Sequence, residues 1–334
     1  MKREASFYKK YGKKVECHLC SHNCKINNNN FGICNVRKNI DGKLYTLIYG
    51  SCSSMASDPI EKKPLFHFHP KTFAFSLGTV GCNFRCSHCQ NSSISTADTT
   101  FVHIREFTSN EIVDMALQNN CQGIAWTYNE PTIWHEFCFD TSKTAKKHGL
   151  YTVYVSNGYI QEDPLRDLSG CLDAINVDVK AFTEDFYRKI CKASLEPVLN
   201  SCILAKELGI HLELTYLVIP TLNDSVDEIT RFCSWVVEKL GKDVPVHFSR
   251  FHPDYNMRDL PMTSIETLTN IYDIAKKTGI MFPYLGNVSH GEYENTMCPR
   301  CNNLCVERYG YTVDQKGVKN GKCSKCGFDL NIVL

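Results

Sequence analysis

GTVGCNFRCSHCQN, residues 78–91, follows an apolar segment and carries three cysteines in the spacing C-x3-C-x2-C: Cys82, Cys86 and Cys89. Thiolates converging on one loop are the ligands that iron–sulfur clusters use. A four-iron cluster held by three cysteines keeps one iron without a protein ligand. An open coordination position indicates chemistry, as it does in catalytic zinc sites. The alternative is a closed structural zinc site in which His88 supplies the fourth ligand.

Outward from this loop, short apolar segments alternate with helical patterns, which is typical of repeated βα units around a parallel sheet. The strand candidates are 73–78, 123–128, 151–156, 173–179, 211–219 and 245–251. Helix starts are predicted where Thr or Ser precedes Glu by three residues: Thr108 and Glu111, Ser225 and Glu228, Thr263 and Glu266. The pattern predicts an α/β fold, either a partial (βα)6 barrel or an open doubly wound sheet.

The composition is ordinary for a globular protein. The chain has 334 residues, of which 43% are hydrophobic and 22% charged, and this length fits one large domain with smaller appendages. The 37 Lys and Arg residues balance 36 Asp and Glu residues, so no global basic field attracts nucleic acid or an anionic membrane. No segment predicts an export signal or a membrane-spanning helix. We therefore expect a cytoplasmic protein with neither a nucleic-acid nor a membrane partner.

Cysteine is the anomalous residue, with 19 copies in the chain. A reducing cytosol disfavours a disulfide framework, which leaves metal binding or catalysis as the explanation. Twelve cysteines fall into three clusters, near the N-terminus, in the loop above and near the C-terminus. The scattered ones are interpreted as small buried hydrophobic residues: Cys52, Cys121, Cys138, Cys171, Cys191, Cys202 and Cys233.

The C-terminal cluster predicts a zinc-ribbon-like tail. Two pairs have the spacing of zinc knuckles: Cys298 and Cys301, Cys323 and Cys326. Zinc is the first interpretation. Rubredoxin-like iron suits the same four thiolates, and Cys305 adds a fifth thiol to the ligand count.

The N-terminal cluster predicts a second metal-binding appendage. Its four candidate ligands are Cys17, Cys20, Cys24 and Cys34. They lie in a region with no helical period, which we predict to be irregular. The region is too short to build its own core, so we expect it to be stabilised by a bound metal, either zinc or a second cluster. The expected organisation is a cysteine-rich N-terminal region over 1–69, a core domain over 70–290 and the tail over 291–334.

The cysteine loop resembles the motif of the radical S-adenosylmethionine (SAM) superfamily, in which an aromatic residue, here His88, precedes the last cysteine. The resemblance implies a partial (βα)6 TIM-like barrel with small cysteine-rich appendages. It also implies a 4Fe-4S cluster on the three cysteines, whose open iron is chelated by the amino and carboxylate groups of SAM. Electron transfer then splits SAM into methionine and a 5'-deoxyadenosyl radical, while the protein supplies orientation and shielding.

The resemblance also places SAM contacts at the ends of the strands, where barrel active sites gather. Residues 127–131, TYNEP, stand where the superfamily usually has Gly-Gly-Glu-Pro, and Asn129 and Glu130 are acceptors suited to an ammonium group. The glycines are missing, so an ordinary strand–helix turn is the alternative. Ser156 and Asn157 resemble the ribose-contacting position.

Further contacts are implied after the later strands. Asp178 and Lys180 resemble the Asp-x-Lys of glycyl-radical-enzyme activases, with solvated strand-end charges as the alternative. His252 is a candidate for contact with the nucleoside. Glu213 and the segment 247–252 are additional candidates for lining the pocket.

The flanks of the loop narrow the resemblance to one branch. DPIEKKPL at 58–65, TYNEPTI at 127–133 and GNV at 286–288 look like the radical SAM component of the AmmeMemoRadiSam system, which is similar to pyruvate formate-lyase activating enzymes. His290 is shifted by one place relative to that family. The resemblance implies a reductant such as a flavodoxin or ferredoxin, and a protein substrate or a Memo-like partner.

Two functional hypotheses follow. The first is a radical SAM enzyme that takes a hydrogen atom from a protein, as a glycyl-radical-enzyme activase does, or from a small molecule. The second is a non-catalytic adaptor that binds zinc at all three cysteine clusters.

Overall fold

The computed structural model describes residues 1–96, 104–288 and 291–334. The N-terminal region contains seven short strands: β1 (Arg3–Glu4), β2 (Tyr8–Tyr11), β3 (Lys14–Cys17), β4 (Lys25–Ile26), β5 (Arg37–Ile40), β6 (Lys43–Thr46) and β7 (Ser51–Cys52). Six of them form two three-stranded sheets, β1-β6-β5 and β2-β3-β4. Val15, Leu19, Ile26 and Leu44 pack into a small core there. The prediction of an irregular region without a core was wrong, because strands this short are too brief to show an alternating pattern.

The main domain is built from strands that alternate with helices. Its elements are β8 (Ser54–Pro59), a 3-10 turn (Ile60–Lys62), β9 (Phe73–Gly78), α1 (Ser92–Ser95), β10 (Arg105–Glu106), α2 (Ser109–Gln118), β11 (Gly123–Trp126), a 3-10 turn (Pro131–Trp134), α3 (His135–Lys147), β12 (Tyr151–Ser156), α4 (Glu162–Leu168), β13 (Ala174–Asp178), α5 (Glu184–Phe186), a π-helical turn (Tyr187–Cys191), α6 (Glu196–Glu207), β14 (His211–Val218), α7 (Val226–Trp235), a π-helical turn (Val236–Leu240), β15 (Val246–Arg250), α8 (Ile265–Thr278) and β16 (Pro283–Gly286).

These strands form one eight-stranded sheet in the order β16-β15-β14-β13-β12-β11-β9-β8. Strands β9 and β11 to β16 run parallel, and β8 pairs antiparallel with β9 at one edge. All six predicted strands are present, and the α/β fold of partial-barrel type is confirmed. β8 and β16 were not predicted. Because the parallel strands are joined by helices, their carboxyl ends meet at one edge of the sheet, where barrel sites form.

The helix starts agree with the sequence in part. Thr108 and Glu111 form the predicted capping box at α2, and Ser225 accepts a hydrogen bond from the first turn of α7. The start at Thr263 was wrong, because Ser264 caps α8 and Thr263 is buried. The Thr263 hydroxyl instead donates to a backbone carbonyl of the sheet.

Residues 60–69, which we name the floor segment, cross the amino ends of the parallel strands. Ile60, Leu65 and Phe68 pack against small and apolar side chains from the strands: Ala74, Ala125, Val153 and Ala174. The Asn176 side-chain amide also donates to the Pro64 carbonyl at 2.7 Å. The floor segment therefore closes the barrel at the end opposite to the cysteine loop.

The C-terminal tail consists of a 3-10 turn (Gly291–Glu294), β17 (Thr296–Met297), β18 (Leu304–Tyr309), β19 (Thr312–Asp314), β20 (Val318–Lys319) and β21 (Lys322–Cys323). Its core packs against the main domain through Phe66, Phe282 and Tyr284. Over residues 1–96, 104–288 and 291–334, we find no helix with the length and apolar character needed to span a membrane.

Candidate functional site

A cavity of about 400 Å³ lies at the carboxyl ends of the parallel strands and extends into the barrel. The structure brings the three loop cysteines into its lining, together with six of the seven predicted SAM-contact residues: Asn129, Glu130, Ser156, Asn157, Asp178 and Lys180. His252 is the exception. It is exposed and outside the lining, with its Nε2 3.0 Å from the Nε2 of Gln90 at the cavity rim.

The cysteine loop is held by backbone contacts, and its three thiols line the cavity. Gly81 has φ +87°, and a Cβ there would lie 2.7 Å from the Cys34 carbonyl, so glycine is required. The Phe84 amide donates to Cys82 Sγ at 3.3 Å. The amides of Arg85 and Ser87 donate to the π-helical turn 187–191 at 2.9 and 3.1 Å. The loop is thus anchored on both sides of its second cysteine.

The positions of the thiols bear on the predicted alternative of a single zinc ion. Four ligands around zinc with bonds of ~2.3 Å lie about 3.8 Å apart. The sulfur atoms of Cys82, Cys86 and Cys89, with or without a nitrogen of His88, do not gather within 4.8 Å of one another. The loop and His88 therefore do not form the compact four-ligand group that the alternative of one zinc ion requires.

Several buried polar atoms facing the cavity lack a partner. His88 is 3% exposed, and neither of its ring nitrogens has a hydrogen-bond partner among the described residues. Burial and the charge of Lys180 lower the pKa of His88 to about 3, so the ring is neutral. Asp178 Oδ1 is likewise unpartnered in the described part of the chain. Buried polar groups of this kind are normally satisfied, so the arrangement fits a bound polar cofactor.

Glu130 is buried where the carboxyl ends of β11 and β12 meet. Its Oε1 accepts from the Thr132 amide at 2.9 Å and from the Ser156 hydroxyl at 2.8 Å. Its Oε2 accepts from the Asn157 amide at 2.8 Å, which leaves one lone pair on that oxygen. Burial raises the pKa of Glu130, while these hydrogen bonds favour the charged form. Glu130 therefore fixes the turn after β12 and keeps acceptor capacity for a ligand cation.

Asp178 and Lys180 form an ion pair at the end of β13. Burial opposes the charge of Lys180, but Asp178 and the nearby thiols of Cys86 and Cys191 raise its pKa overall. Lys180 thus brings a positive charge to the cysteine loop. Cys191 was interpreted as an ordinary buried residue, yet its side chain contacts Cys86. No sequence spacing links it to the loop, because the contact comes from the fold of the π-helical turn.

Two candidates for the cavity lining are placed elsewhere. Glu213 is fully buried, and its carboxylate accepts from the amides of Phe66 and His67 at 3.0 and 2.7 Å, so it binds the floor segment. His247 points the same way, with Nε2 2.7 Å from Glu213 Oε2. From the segment 247–252, Ser249 lines the cavity. The prediction that Glu213 lines the pocket was wrong, and His290 lies outside the described residues.

The C-terminal cysteines do form a compact four-thiol group. The Sγ atoms of Cys298, Cys301, Cys323 and Cys326 all lie within 4.8 Å of one another. Cys298 and Cys326 are 3.5 Å apart, and Cys301 and Cys323 are 3.7 Å apart, close to the ligand separation of one tetrahedral ion. Cys305 is not part of this group, which therefore offers four thiols to a metal ion.

The N-terminal cysteines line one small apolar cavity next to the cysteine loop: Cys17, Cys20, Cys24 and Cys34. Their sulfur atoms do not meet within 4.8 Å of one another. Two contacts join this region to the loop. His22 Nε2 lies 2.7 Å from the Asn83 carbonyl, and Arg85 donates to the Ile33 carbonyl at 2.5 Å.

Comparison with known proteins agrees with this geometry. The profile described as the Radical SAM superfamily matches residues 76–233. An uncharacterized protein of Methanocaldococcus jannaschii is 47% identical over 335 residues, covering 99% of this chain and 100% of that protein. The pyruvate formate-lyase-activating enzyme of Clostridium pasteurianum is 23% identical over 198 residues, covering 54% of this chain and 80% of that enzyme.

The fold has solved counterparts as well. The crystal structure of Streptococcus suis SuiB bound to S-adenosylmethionine superposes with a TM-score of 0.50 at 10% identity, covering 65% of this chain and 52% of that one. The cysteine loop, the cavity at the strand ends and the sequence match over residues 76–233 point to one family. The chain contains a domain of the radical SAM superfamily.

Proposed function

We propose that this protein cleaves SAM at a 4Fe-4S cluster held by Cys82, Cys86 and Cys89, and that it abstracts a hydrogen atom from a substrate. The observation that carries the proposal is the three thiols in the lining of a cavity whose walls hold unpartnered polar atoms. When bound, the cluster supplies the electron that splits SAM into methionine and a 5'-deoxyadenosyl radical.

The residues of the chain bind and orient SAM in this proposal. Glu130 offers its remaining lone pair to the SAM ammonium group, and Asn129 is held by its own contacts to Thr79 and Gly81 at 3.1 and 2.8 Å. His88 and Asp178 offer a neutral ring and an unpartnered carboxylate oxygen to the nucleoside. Lys180 balances the negative charge of the thiolates.

The function is tested by anaerobic reconstitution with iron and sulfide, followed by addition of a reductant and SAM. We expect 5'-deoxyadenosine and methionine in equal amounts. An intact cluster that yields no 5'-deoxyadenosine would contradict the proposal. A protein purified without air that contains zinc and no iron would support the adaptor hypothesis instead.

Glu130→Gln tests the SAM-binding role of the strand ends. The amide has one acceptor oxygen where the carboxylate has two, so an NH2 group would face an N–H donor and the charge opposite the SAM ammonium would be lost. We expect the Kd for SAM to rise by at least about tenfold, as for the loss of a charge-assisted hydrogen bond. The measurement is equilibrium dialysis with cluster-loaded protein. Glu207→Gln on the surface of α6 is the control and should leave the Kd unchanged.

The acceptor of the radical is either a protein glycine or a small molecule. The relationship to the activating enzyme of Clostridium pasteurianum supports a glycyl-radical-enzyme activase. A flavodoxin or ferredoxin is the electron donor in this proposal. The resemblance to the AmmeMemoRadiSam component instead makes a Memo-like protein a candidate partner. Deuterated candidates separate these cases, because deuterium enters 5'-deoxyadenosine only from the true hydrogen donor.

We propose zinc at the four-thiol group of the C-terminal tail. Cys323→Ser should remove about one zinc per chain and leave the iron content unchanged, because the tail and the cysteine loop share no ligand. Metal analysis by plasma mass spectrometry measures both quantities. An equal loss of iron, or no zinc in the wild type, would contradict this assignment.

We also propose a metal at the N-terminal cysteines. Four cysteine thiolates suit either zinc or a second iron–sulfur cluster. With a second 4Fe-4S cluster at this site, the wild type should contain about eight irons per chain, and Cys20→Ser should lose about four of them. A wild type with about four irons and two zinc ions would assign zinc to this site.

A further inference from the structure

The cavity continues from the cysteine loop along the inside of the barrel to two lysines of the floor segment. Lys62 and Lys63 both belong to its lining. The side chain of Lys63 is 2% exposed, and that of Lys62 is 45% exposed. A buried lysine that faces a ligand-sized cavity is rare unless its charge is paired. The SAM-binding role proposed above does not use Lys63.

The lysine pair carries more positive charge than its partner neutralises. Lys62 Nζ lies 2.8 Å from Asp58 Oδ1, and Lys63 Nζ lies 2.7 Å from Asp58 Oδ2. One carboxylate thus faces two ammonium groups. Each ammonium has three N–H donors, and within the described residues Asp58 takes one from each. One positive charge and several donors are therefore left for an anion in the cavity.

Tyr128, which follows β11, holds Asp58 and the two lysines in place. Its hydroxyl donates to Asp58 Oδ2 at 2.7 Å, and its ring centroid lies 4.8 Å from Lys63 Nζ. Tyr128 has φ +71°, a conformation that residues other than glycine rarely adopt. Gly78 makes room for the ring, since a Cβ there would lie 3.0 Å from Tyr128 Cδ2. Backbone strain of this kind clusters at functional sites.

The walls between the lysines and the cysteine loop suit the body of a small polar molecule. Thr127, Thr215 and Ser249 contribute hydroxyl groups, and Val155 and Leu217 contribute apolar surface. A molecule anchored at the lysines would therefore present its other end toward the cysteine loop, where the hydrogen atom is taken.

We propose that Lys62 and Lys63 bind the carboxylate or phosphate group of a small-molecule substrate inside the barrel. The inference rests on the function proposed above. In the proposed function the three loop cysteines would hold the cluster and SAM would use its own carboxylate there, so the lysines would serve a second molecule. A backbone glycine brings no anionic group to such a site, and the lysine pair thus favours a small molecule over a protein as the hydrogen donor.

The test is calorimetric titration of the cluster-loaded protein with succinate and with inorganic phosphate, in the absence of air. We expect at least one of the two anions to bind the wild type, and the one with the lower Kd identifies the group that is recognised. Its Kd should rise at least about tenfold in Lys63→Met and in Lys62→Met. Lys242→Met, at an exposed position, is the control and should bind like the wild type. The Kd for SAM should stay within about twofold in all variants.

Three results would overturn the inference: no binding of either anion to the wild type, unchanged anion binding in the lysine variants, or loss of SAM binding in them. Lys62→Met keeps the test valid if Lys63→Met unfolds, because the Lys62 side chain is partly exposed. Failure of the wild type to cleave SAM would contradict the proposed function without altering the anion titration, so the two failures are distinguishable.

Discussion

Cys86→Ala is expected to reduce the rate of SAM cleavage by more than about 100-fold. Changes to outer-shell partners of metal sites already cost about 10- to 100-fold, and this substitution removes a ligand. Cys86 is the middle thiol of the loop, and the backbone around it is fixed to the π-helical turn, so the loop is not free to move another of its own cysteines into this position. The measurement is 5'-deoxyadenosine formed per chain, together with iron content and the visible absorbance of the cluster.

The matched control is Cys121→Ala, which removes a buried cysteine outside the cavity lining. This variant should keep its iron and its rate. A Cys86→Ala variant that still cleaves SAM would show that the cluster is not held by the three loop cysteines. Cys191 would then be the first replacement ligand to examine, because its side chain contacts Cys86.

Glu213→Gln is expected to lower the free energy of unfolding by about 3 kcal/mol or more, as for other broken buried charge networks. The carboxylate accepts from two backbone amides of the floor segment and from His211 and His247, at 2.7 to 3.1 Å. Glutamine would turn an NH2 group toward one of these donors and leave it unsatisfied. Thermal and urea unfolding measure the loss.

The pH dependence of stability provides a second measurement on Glu213. Burial raises its pKa, but hydrogen bonds from His211 and His247 lower it overall, below the unfolded value of about 4.3. Its contribution to stability is therefore complete above that value and is lost as the pH falls toward the folded pKa. The glutamine variant should lack this part of the acid dependence. Glu162→Gln, in an exposed i,i+4 pair, should change stability by less than about 0.5 kcal/mol, and an equal effect there would contradict the special role of Glu213.

The cysteine loop and the strand ends were predictable because their residues follow strand candidates in sequence. A parallel sheet brings such positions together at one edge, so Glu130, Ser156 and Asp178 meet without any further information. β8 was missed because SMASDP does not alternate between polar and apolar residues. β16 was missed because it has four residues and begins with proline.

Glu213 shows where the sequence is insufficient. It shares the inward face of β14 with Thr215 and Leu217, so the alternating pattern correctly points all three into the barrel. They differ in their position along β14. Thr215 and Leu217 are nearer its carboxyl end and reach the cavity, whereas Glu213 is nearer its amino end and contacts the floor segment. Lys62 and Lys63 were unpredictable for a different reason: their position depends on a segment that crosses the barrel, not on a strand.

The floor segment also has a consequence for how the chain matures during synthesis. His67 contacts the Leu330 carbonyl at a sequence separation of 263 residues, and Arg308 donates to the Phe66 carbonyl at 2.7 Å. On the ribosome, residues 60–69 emerge long before these partners, and contacts of such separation form slowly. Phe66 would meanwhile be exposed on the side that the tail covers, so we expect chaperones to bind the nascent chain until the tail has docked.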